Sequence, residues 1–344
     1  MTFDSAQRSL VLVANADPVH VGAHLRAGAA EDKIDCDLHD IRSAFAGNRI
    51  TQKLNWWFRG HYPSRLRAFS DEVVAACKLR RPQLVLATGI APLDEHGLRE
   101  IADLKIRRLN FLTDDPWNPA LRAPWFLRSL SYYDIVFTPR LANRGELLAH
   151  GCRSVFYLPF GYAPGIHYPE ATAEPGCVRT FGSDVSFVGG ADSDRVPYIT
   201  ALSKRFRVSL YGGYWNRYSG TRRQARGFAT PETMRKIAAE SYVSLCMVRR
   251  ANRDGHCMRT FELAAMGACI LAEKTDEHLR IFGADGESVV YFSSIGEMLE
   301  KVKWLLGHPA ESVRLRRAVF QLITSRPNTY RDRLRTMLQV ASVS

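Results

Sequence analysis

The segment Ala251–Gly267, ANRDGHCMRTFELAAMG, places charged residues where they could hold a phosphorylated ligand. Polar residues and Gly255 precede a helix whose first turn contains Met258 and Arg259. A cation there opposes the positive end of the helix macrodipole by about 0.3–1 kcal/mol, so helix stability alone does not explain Arg259. An anion would resolve the conflict, because free amides and a guanidinium fork together suit a diphosphate. An Arg259 turned to solvent, or paired with Asp254, would resolve it too. Glu262 follows one turn later on the stripe of Met258 and Met266, a carboxylate on an otherwise apolar line. It needs a partner. A ribose diol, whose two hydroxyls one carboxylate can accept, would serve, and so would a neighbouring basic side chain. Ala264, Ala265 and Gly267 keep this helix slim enough for close packing.

Three further places could carry chemistry. Phe187-Val188-Gly189-Gly190, with Arg195 following, and Leu210-Tyr211-Gly212-Gly213 each put a glycine pair directly after an apolar run. Glycine there lets backbone amides approach phosphates, although a strand followed by two glycines is also an ordinary turn. Thr113-Asp114-Asp115-Pro116-Trp117 ends another apolar run with two adjacent carboxylates, candidates for a general base or for acceptor binding. Asp115, just before proline, reads equally as a turn or cap residue, which makes Asp114 the stronger catalytic candidate. His20, just before Val21 and Gly22, could touch an acceptor or a phosphate. His20 and His24 lie four apart, but no acidic residue follows in the HExxH manner, so a metal is not expected. Trp56-Trp57-Phe58-Arg59-Gly60-His61-Tyr62 could dock a glycan or a membrane surface, or pack half-buried.

These residues need a scaffold, and the chain supplies an α/β one. Leu10–Asn15, Leu84–Thr88, Leu109–Thr113, Ile135–Thr138 and Val155–Leu158 are apolar at nearly every position and alternate with segments of helical period, among them Arg65–Lys78 and Leu121–Tyr132. Runs of that kind fit parallel strands covered on both faces by crossover helices. Tyr168–Gly176, polar and bounded by proline and glycine, reads as an interdomain linker. A second series follows with strands Val185–Val188, Val208–Tyr211, Val243–Cys246, Cys269–Ala272 and Val289–Phe292, and helices starting near Arg195, Pro231, Met258, Asp276 and Ile295. The expectation is two Rossmann-like domains, 1–170 and 171–344. The final helical stretch, Ala310–Val340, is too long for one crossover and is expected to pack across both.

Length agrees, since 344 residues suit two domains of roughly 150. No apolar run reaches the roughly 20 residues that span a bilayer, and Met1–Ser9 lacks the pattern of a signal peptide, so a cytoplasmic protein is expected. Seven scattered cysteines, never spaced CxxC, argue against a disulfide framework or structural zinc. The formal charge of +12 would attract nucleotides, nucleic acid or an anionic membrane. No nucleic-acid reading module is recognisable. GxGxxG and GxxxxGK[ST] are both absent, which weighs against NAD enzymes and P-loop ATPases.

Across most of its length the chain resembles the CgeB-like glycosyltransferases, whose second half is similar to the group-1 enzymes of GT-B architecture. The resemblance rests on RPQLVLATG, NFLTDDPW, YYDIVFTPR and VFYLPFGYAPGIHYP in the first half. In the second half it rests on DVSFVGG, HCMRTFELAAMGACILAEKTDE, FGADGESVVYF and TYRDR. It implies two Rossmann-like domains facing across a cleft, an acceptor on the first and a nucleotide-sugar donor of UDP, GDP or dTDP type on the second. It also implies no obligatory metal and no cofactor beyond the donor itself. Group-1 enzymes carry two acidic residues separated by seven others; Glu262 matches the second, the ribose ligand, and Asp254 stands at the first, where the pattern has glutamate. His256 and Arg259 lie between them, and Arg259, Arg195 and helix amides would stabilise the departing diphosphate. The relation implies a retaining outcome, with Asp114 positioning the acceptor; under inversion Asp114 or Asp115 would be the base. The rival reading is a noncatalytic sugar- or nucleotide-binding protein of surface-coat assembly.

Overall fold

In the computed structural model, which describes residues 9–170 and 180–343, the fully apolar runs become parallel strands. The first sheet contains β1 (Ser9–Ala14), β2 (Asp35–Asp40), β3 (Leu84–Thr88), β4 (Arg107–Phe111), β5 (Ile135–Thr138) and β6 (Val155–Tyr157). Its order is β2-β1-β3-β4-β5-β6. The second sheet contains β7 (Val185–Val188), β8 (Val208–Tyr211), β9 (Val243–Cys246), β10 (Ile270–Glu273) and β11 (Val290–Phe292), ordered β11-β10-β9-β7-β8. Every strand pair is parallel. Strands β3, β5, β7, β8, β9, β10 and β11 are buried along their whole length, as crossover helices on both faces require.

The chain divides into two compact units, one of residues 1–159, 251–253 and 330–344, the other of 160–250 and 254–329. The first boundary thus precedes the proline- and glycine-bounded stretch read as a linker, of which residues 171–176 lie outside the described residues, as do residues 1–8 of the amino-terminal segment, Cys177 and residue 344. The other six cysteines are free thiols. Among the described residues no helix is long and apolar enough to cross a membrane.

Three elements differ from the sequence reading for local reasons. Strand β2, DCDLHD, escapes a hydrophobic search because it is a polar edge strand, half-buried along most of its length. The helix expected over Leu121–Tyr132 runs only Pro124–Leu130, because Pro124 fixes the first helical position. The stretch Ala310–Val340 is two helices, Pro309–Thr324 and Tyr330–Val343, broken at Pro327, whose ring cannot continue the ladder. After the break the Asn328 carbonyl accepts from the Tyr162 amide at 3.1 Å.

The last helix belongs to the first unit and packs on helix Val21–Glu31. Tyr330 stacks on His24 with centroids 5.1 Å apart. Asp32 accepts from Arg331 Nε at 2.6 Å and from Arg335 Nε at 2.7 Å. The two helices approach so closely at Gly28 that a Cβ there would lie 2.8 Å from the Arg331 Cα. Backbone cannot yield as a flexible side chain can. Gly28→Val is therefore expected to destabilise the first unit by about 1–3 kcal/mol, the usual penalty of overpacking, seen as a lower midpoint in urea denaturation. An unchanged midpoint would show that the helices separate freely there.

Candidate functional site

Open parallel sheets bind ligands at the carboxyl ends of strands where the strand order reverses. Counted from β7, the second sheet runs 2-1-3-4-5, which puts its reversal between β7 and β9. The turns after those two strands, Gly189-Gly190 and the loop from Met247 to Cys257, therefore flank a crevice.

Arg195 links the two turns. Almost fully buried just ahead of helix Val196–Ser203, it donates from Nη1 to the Gly190 carbonyl at 3.2 Å, from Nη2 to Met247 at 3.1 Å and from Nε to Val248 at 3.3 Å. Its guanidinium also lies 5.4 Å from the Phe187 ring centre and 3.4 Å from Asp192. Arg195 is thus committed largely to carbonyls of the protein itself. The glycine pairs divide in the same way. A Cβ on Gly212 would sit 2.3 Å from the Gly189 oxygen, and one on Gly189 would meet the Phe187 ring at 2.9 Å. These two glycines permit close backbone packing between the ends of β7 and β8. Around Gly190 there is room: the atoms nearest a Cβ there are the Gly213 oxygen at 3.8 Å and Arg249 Nη2 at 3.9 Å. Arg249, half-exposed and 3.9 Å from Asp192, therefore overhangs the open side of the crevice. Tyr211 is buried at the end of β8, and burial raises its phenol above the ordinary value.

After Arg249 the chain reaches helix Met258–Ala265 by way of Asp254, which is half-buried, and Gly255. A Cβ on Gly255 would lie 2.4 Å from Glu277 Cδ, so only glycine fits against that carboxylate. His256 is wholly buried. Its Nε2 accepts from the Phe160 amide at 3.2 Å, which fixes the proton on Nδ1, and Nδ1 donates to Glu277 at 2.5 Å. With both ring nitrogens engaged, His256 acts here as a brace for the loop.

One turn into the helix, Arg259 and Glu262 form an ion pair. Glu262 is 1% exposed, whereas the Arg259 side chain retains 32%. On its other side Glu262 Oε1 lies 3.8 Å from His167 Nε2. His167 Nδ1 accepts from the Ala163 amide at 3.0 Å, so Nε2 carries the hydrogen that points at the carboxylate. The sequence reading left Glu262 between a ribose and a basic neighbour; the structure supplies the basic neighbour and keeps the carboxylate buried beside it.

The first sheet, counted from β1, runs 2-1-3-4-5-6 and reverses between β1 and β3. His20 is exposed after β1, and Gly22 brings the following helix onto the strand, since a Cβ there would be 2.4 Å from Ala14 Cβ. After β4 the two aspartates part ways. Asp115 is buried and accepts from the Trp117 amide at 3.0 Å, Asn143 Nδ2 at 3.1 Å, and Arg253 Nε and Nη2 at 2.6 and 3.0 Å. Arg253 belongs to the short segment 251–253 of this same unit and also pairs with Glu146 at 2.7 Å. Among the described residues Asp114 accepts only from its neighbour Thr113, at 3.3 Å, and lies beside Gly89, at the end of β3. Hence Asp114 keeps acceptor capacity and Asp115 is a structural anchor. Sequence reasoning missed Arg249, Glu277, His167 and Arg253. Only Glu277 left a readable sign, an acid directly after Thr275-Asp276 at a helix start.

Residues 195–339 match the family model described as glycosyl transferase-like, a span of less than half of the chain. No curated protein matches by sequence. Among solved structures, sucrose-phosphate synthase (tll1590) from Thermosynechococcus elongatus is similar with a TM-score of 0.68 at 11% identity, covering 98% of each chain. Anabaena Alr3699/HepE in complex with UDP and glucose gives a TM-score of 0.65 at 12% identity, covering 98% of this chain and 100% of that one. A UDP-forming α,α-trehalose-phosphate synthase from Burkholderia xenovorans gives 0.60 at 14% identity, over 97% and 98%. The two parallel sheets with their helices form an α/β fold of the GT-B kind.

Proposed function

We propose that this protein is a glycosyltransferase that moves a sugar from a nucleoside-diphosphate sugar to a hydroxyl acceptor, akin to the CgeB-like enzymes. The observation that carries the reading is Glu262, a buried carboxylate on a helix that begins at the reversal point of the second sheet, inside the span matched by the glycosyl transferase-like family. A buried carboxylate flanked by the half-exposed Arg259 and by His167 still has lone pairs left for two ribose hydroxyls. Arg249 and the amides at the start of Met258–Ala265 face the diphosphate, and Arg259 can reach it while still touching Glu262. These groups supply the positive charge that the departing nucleoside diphosphate requires, so the reading needs no metal. Arg195, Gly189 and Gly212 shape the crevice, and Gly190 leaves space for the ligand. HepE in complex with UDP makes UDP the first donor nucleotide to test.

In the reaction the bond from the anomeric carbon to the diphosphate oxygen breaks, its electron pair leaving with the diphosphate, and a bond to the acceptor oxygen forms. The acceptor proton passes to the departing diphosphate if configuration is retained, as the resemblance to group-1 enzymes favours, or to Asp114 if it is inverted. In both cases Asp114 orients the acceptor hydroxyl.

UDP at about a hundred times its dissociation constant should stabilise the protein by about 2.7 kcal/mol and raise its melting temperature by several degrees. Glu262→Gln should keep the fold and weaken UDP about ten- to a hundredfold, the value of hydrogen bonds to a charged group. If neither UDP nor any other nucleoside diphosphate moves the melting temperature, the donor assignment fails.

The two aspartates should separate cleanly. Asp114→Asn is expected to leave the melting temperature and UDP binding intact and to lower turnover by about a hundredfold or more. Asp115→Asn leaves the half-exposed Arg253 without its buried charged partner and should cost about 1.5–3 kcal/mol of stability in the first unit, the value of hydrogen bonds to a charged group. Full turnover in Asp114→Asn would remove that residue from the mechanism, and UDP binding without any transfer would favour a binding protein.

A further inference from the structure

Helix Arg49–Phe58 of the first unit is built inside out. Its inward side is largely polar: Gln52 Nε2 donates to the carbonyls of Phe45 at 2.9 Å and Gly47 at 3.2 Å, the buried Asn55 donates to Ser64 Oγ at 3.2 Å, and Trp56 on the same side lies edge-on to His61 with ring centres 4.2 Å apart. Asn55 is the helix's only buried residue. Its outward side carries Ile50 (69% exposed), Leu54 (51%), Trp57 (75%) and Phe58 (82%), at the spacing i, i+4, i+7, i+8 that makes one continuous stripe. A helix that faces only water carries the opposite distribution, and contiguous exposed apolar surface of this kind marks an interaction site.

Charge narrows the choice of partner. Between residues 41 and 70 the chain contains Arg42, Arg49, Lys53, Arg59, Arg65 and Arg67 and no aspartate or glutamate. Arg42, Arg65 and Arg67 pair with carboxylates outside that stretch. Arg49, Lys53 and Arg59, on or directly after the helix, form no ion pair among the described residues. Three uncompensated cations beside an exposed apolar stripe call for a surface that is both negative and oily. A second copy of the chain would bring the same three cations against themselves across a twofold contact.

We propose that this helix docks the protein on an anionic lipid bilayer. Ile50, Leu54, Trp57 and Phe58 enter the boundary between headgroups and acyl chains, the level at which tryptophan concentrates. Arg49, Lys53 and Arg59 meet lipid phosphates. The apolar stripe and the cations act as the two signals that stable peripheral attachment requires.

Co-sedimentation of the full chain with vesicles tests this. Binding to vesicles of equal parts phosphatidylglycerol and phosphatidylcholine should exceed binding to pure phosphatidylcholine by about tenfold or more and should weaken as salt rises. The double variant Trp57→Ser, Phe58→Ser and the double variant Arg49→Ser, Lys53→Ser should each lose about tenfold or more in vesicle affinity. Both variants should keep the wild-type melting temperature, because all four side chains are exposed. The proposal is overturned if the protein binds neither vesicle, binds both equally, or binds unchanged after substitution. It is overturned equally if the wild-type chain self-associates in sedimentation velocity and the variants do not, since the helix face would then belong to a second copy.

Discussion

A parallel sheet ends with carbonyls that its own ladder cannot pair, and in the second unit one buried guanidinium gathers three of them. Arg195 joins the turns after β7 and β9 through the oxygens of Gly190, Met247 and Val248. Its planar fork can address three acceptors in different directions at once, whereas a lysine ammonium would offer a single charge centre and pay a steeper desolvation penalty. On the opposite flank of β7 the gap is closed by backbone, where Gly212 lies against Gly189, and by Trp215, whose Nε1 donates to the Gly189 carbonyl at 2.8 Å. Space remains beside Gly190, beneath Arg249. The loop that carries Arg249 and leads to helix Met258–Ala265 starts from the Met247 and Val248 carbonyls that Arg195 holds.

The charged groups near the strand ends separate by how fully their partners satisfy them. A buried ionised group without partners is too costly to persist, so most of these side chains answer one another. Asp115 has four donors and His256 has a partner on each ring nitrogen. Such groups fix loops and have little left for a ligand. Among the described residues Asp114 and Arg249 are less fully paired, and Glu262 keeps lone pairs beyond Arg259 and His167; each sits just after a strand or on the helix that follows one. Residue type nominated both members of the aspartate pair, and only the count of donors around each carboxylate tells them apart.

That distinction marks where sequence reading stops. The buried strands were legible because a parallel strand covered on both faces needs apolar residues throughout, whereas β2 was hidden by its polar edge position. Arg259 and Glu262 stood out because they break local rules, a cation at a helix start and an acid on an oily stripe. The partners of Asp115 and His256 were illegible, since Arg253, Phe160 and Glu277 meet them only through the fold. The exposed aromatic helix was visible as composition, but its polarity is inverted only relative to what Gln52 and Asn55 bind, which no periodicity reveals.

The run Glu273-Lys274-Thr275-Asp276-Glu277-His278 supports the start of helix Met258–Ala265. The Thr275 hydroxyl accepts from the His278 amide at 3.0 Å, capping helix Asp276–Phe282, and donates to the Gly255 carbonyl at 2.5 Å. Glu277 holds His256 from below. His278, buried and shifted toward its neutral form by desolvation, donates from Nδ1 to the Glu273 carbonyl at 2.7 Å, so its Nε2 must accept from Thr260 at 2.9 Å. Thr260 in turn accepts from the Cys257 amide at 3.1 Å, closing the first turn of Met258–Ala265. The helix that carries Arg259 and Glu262 is thus braced at its start by three side chains of one short segment, none of which needs to touch a ligand. The proposed placement of one carboxylate against a ribose depends on such a frame, because the selectivity of a buried acid lasts only as long as its own position is fixed.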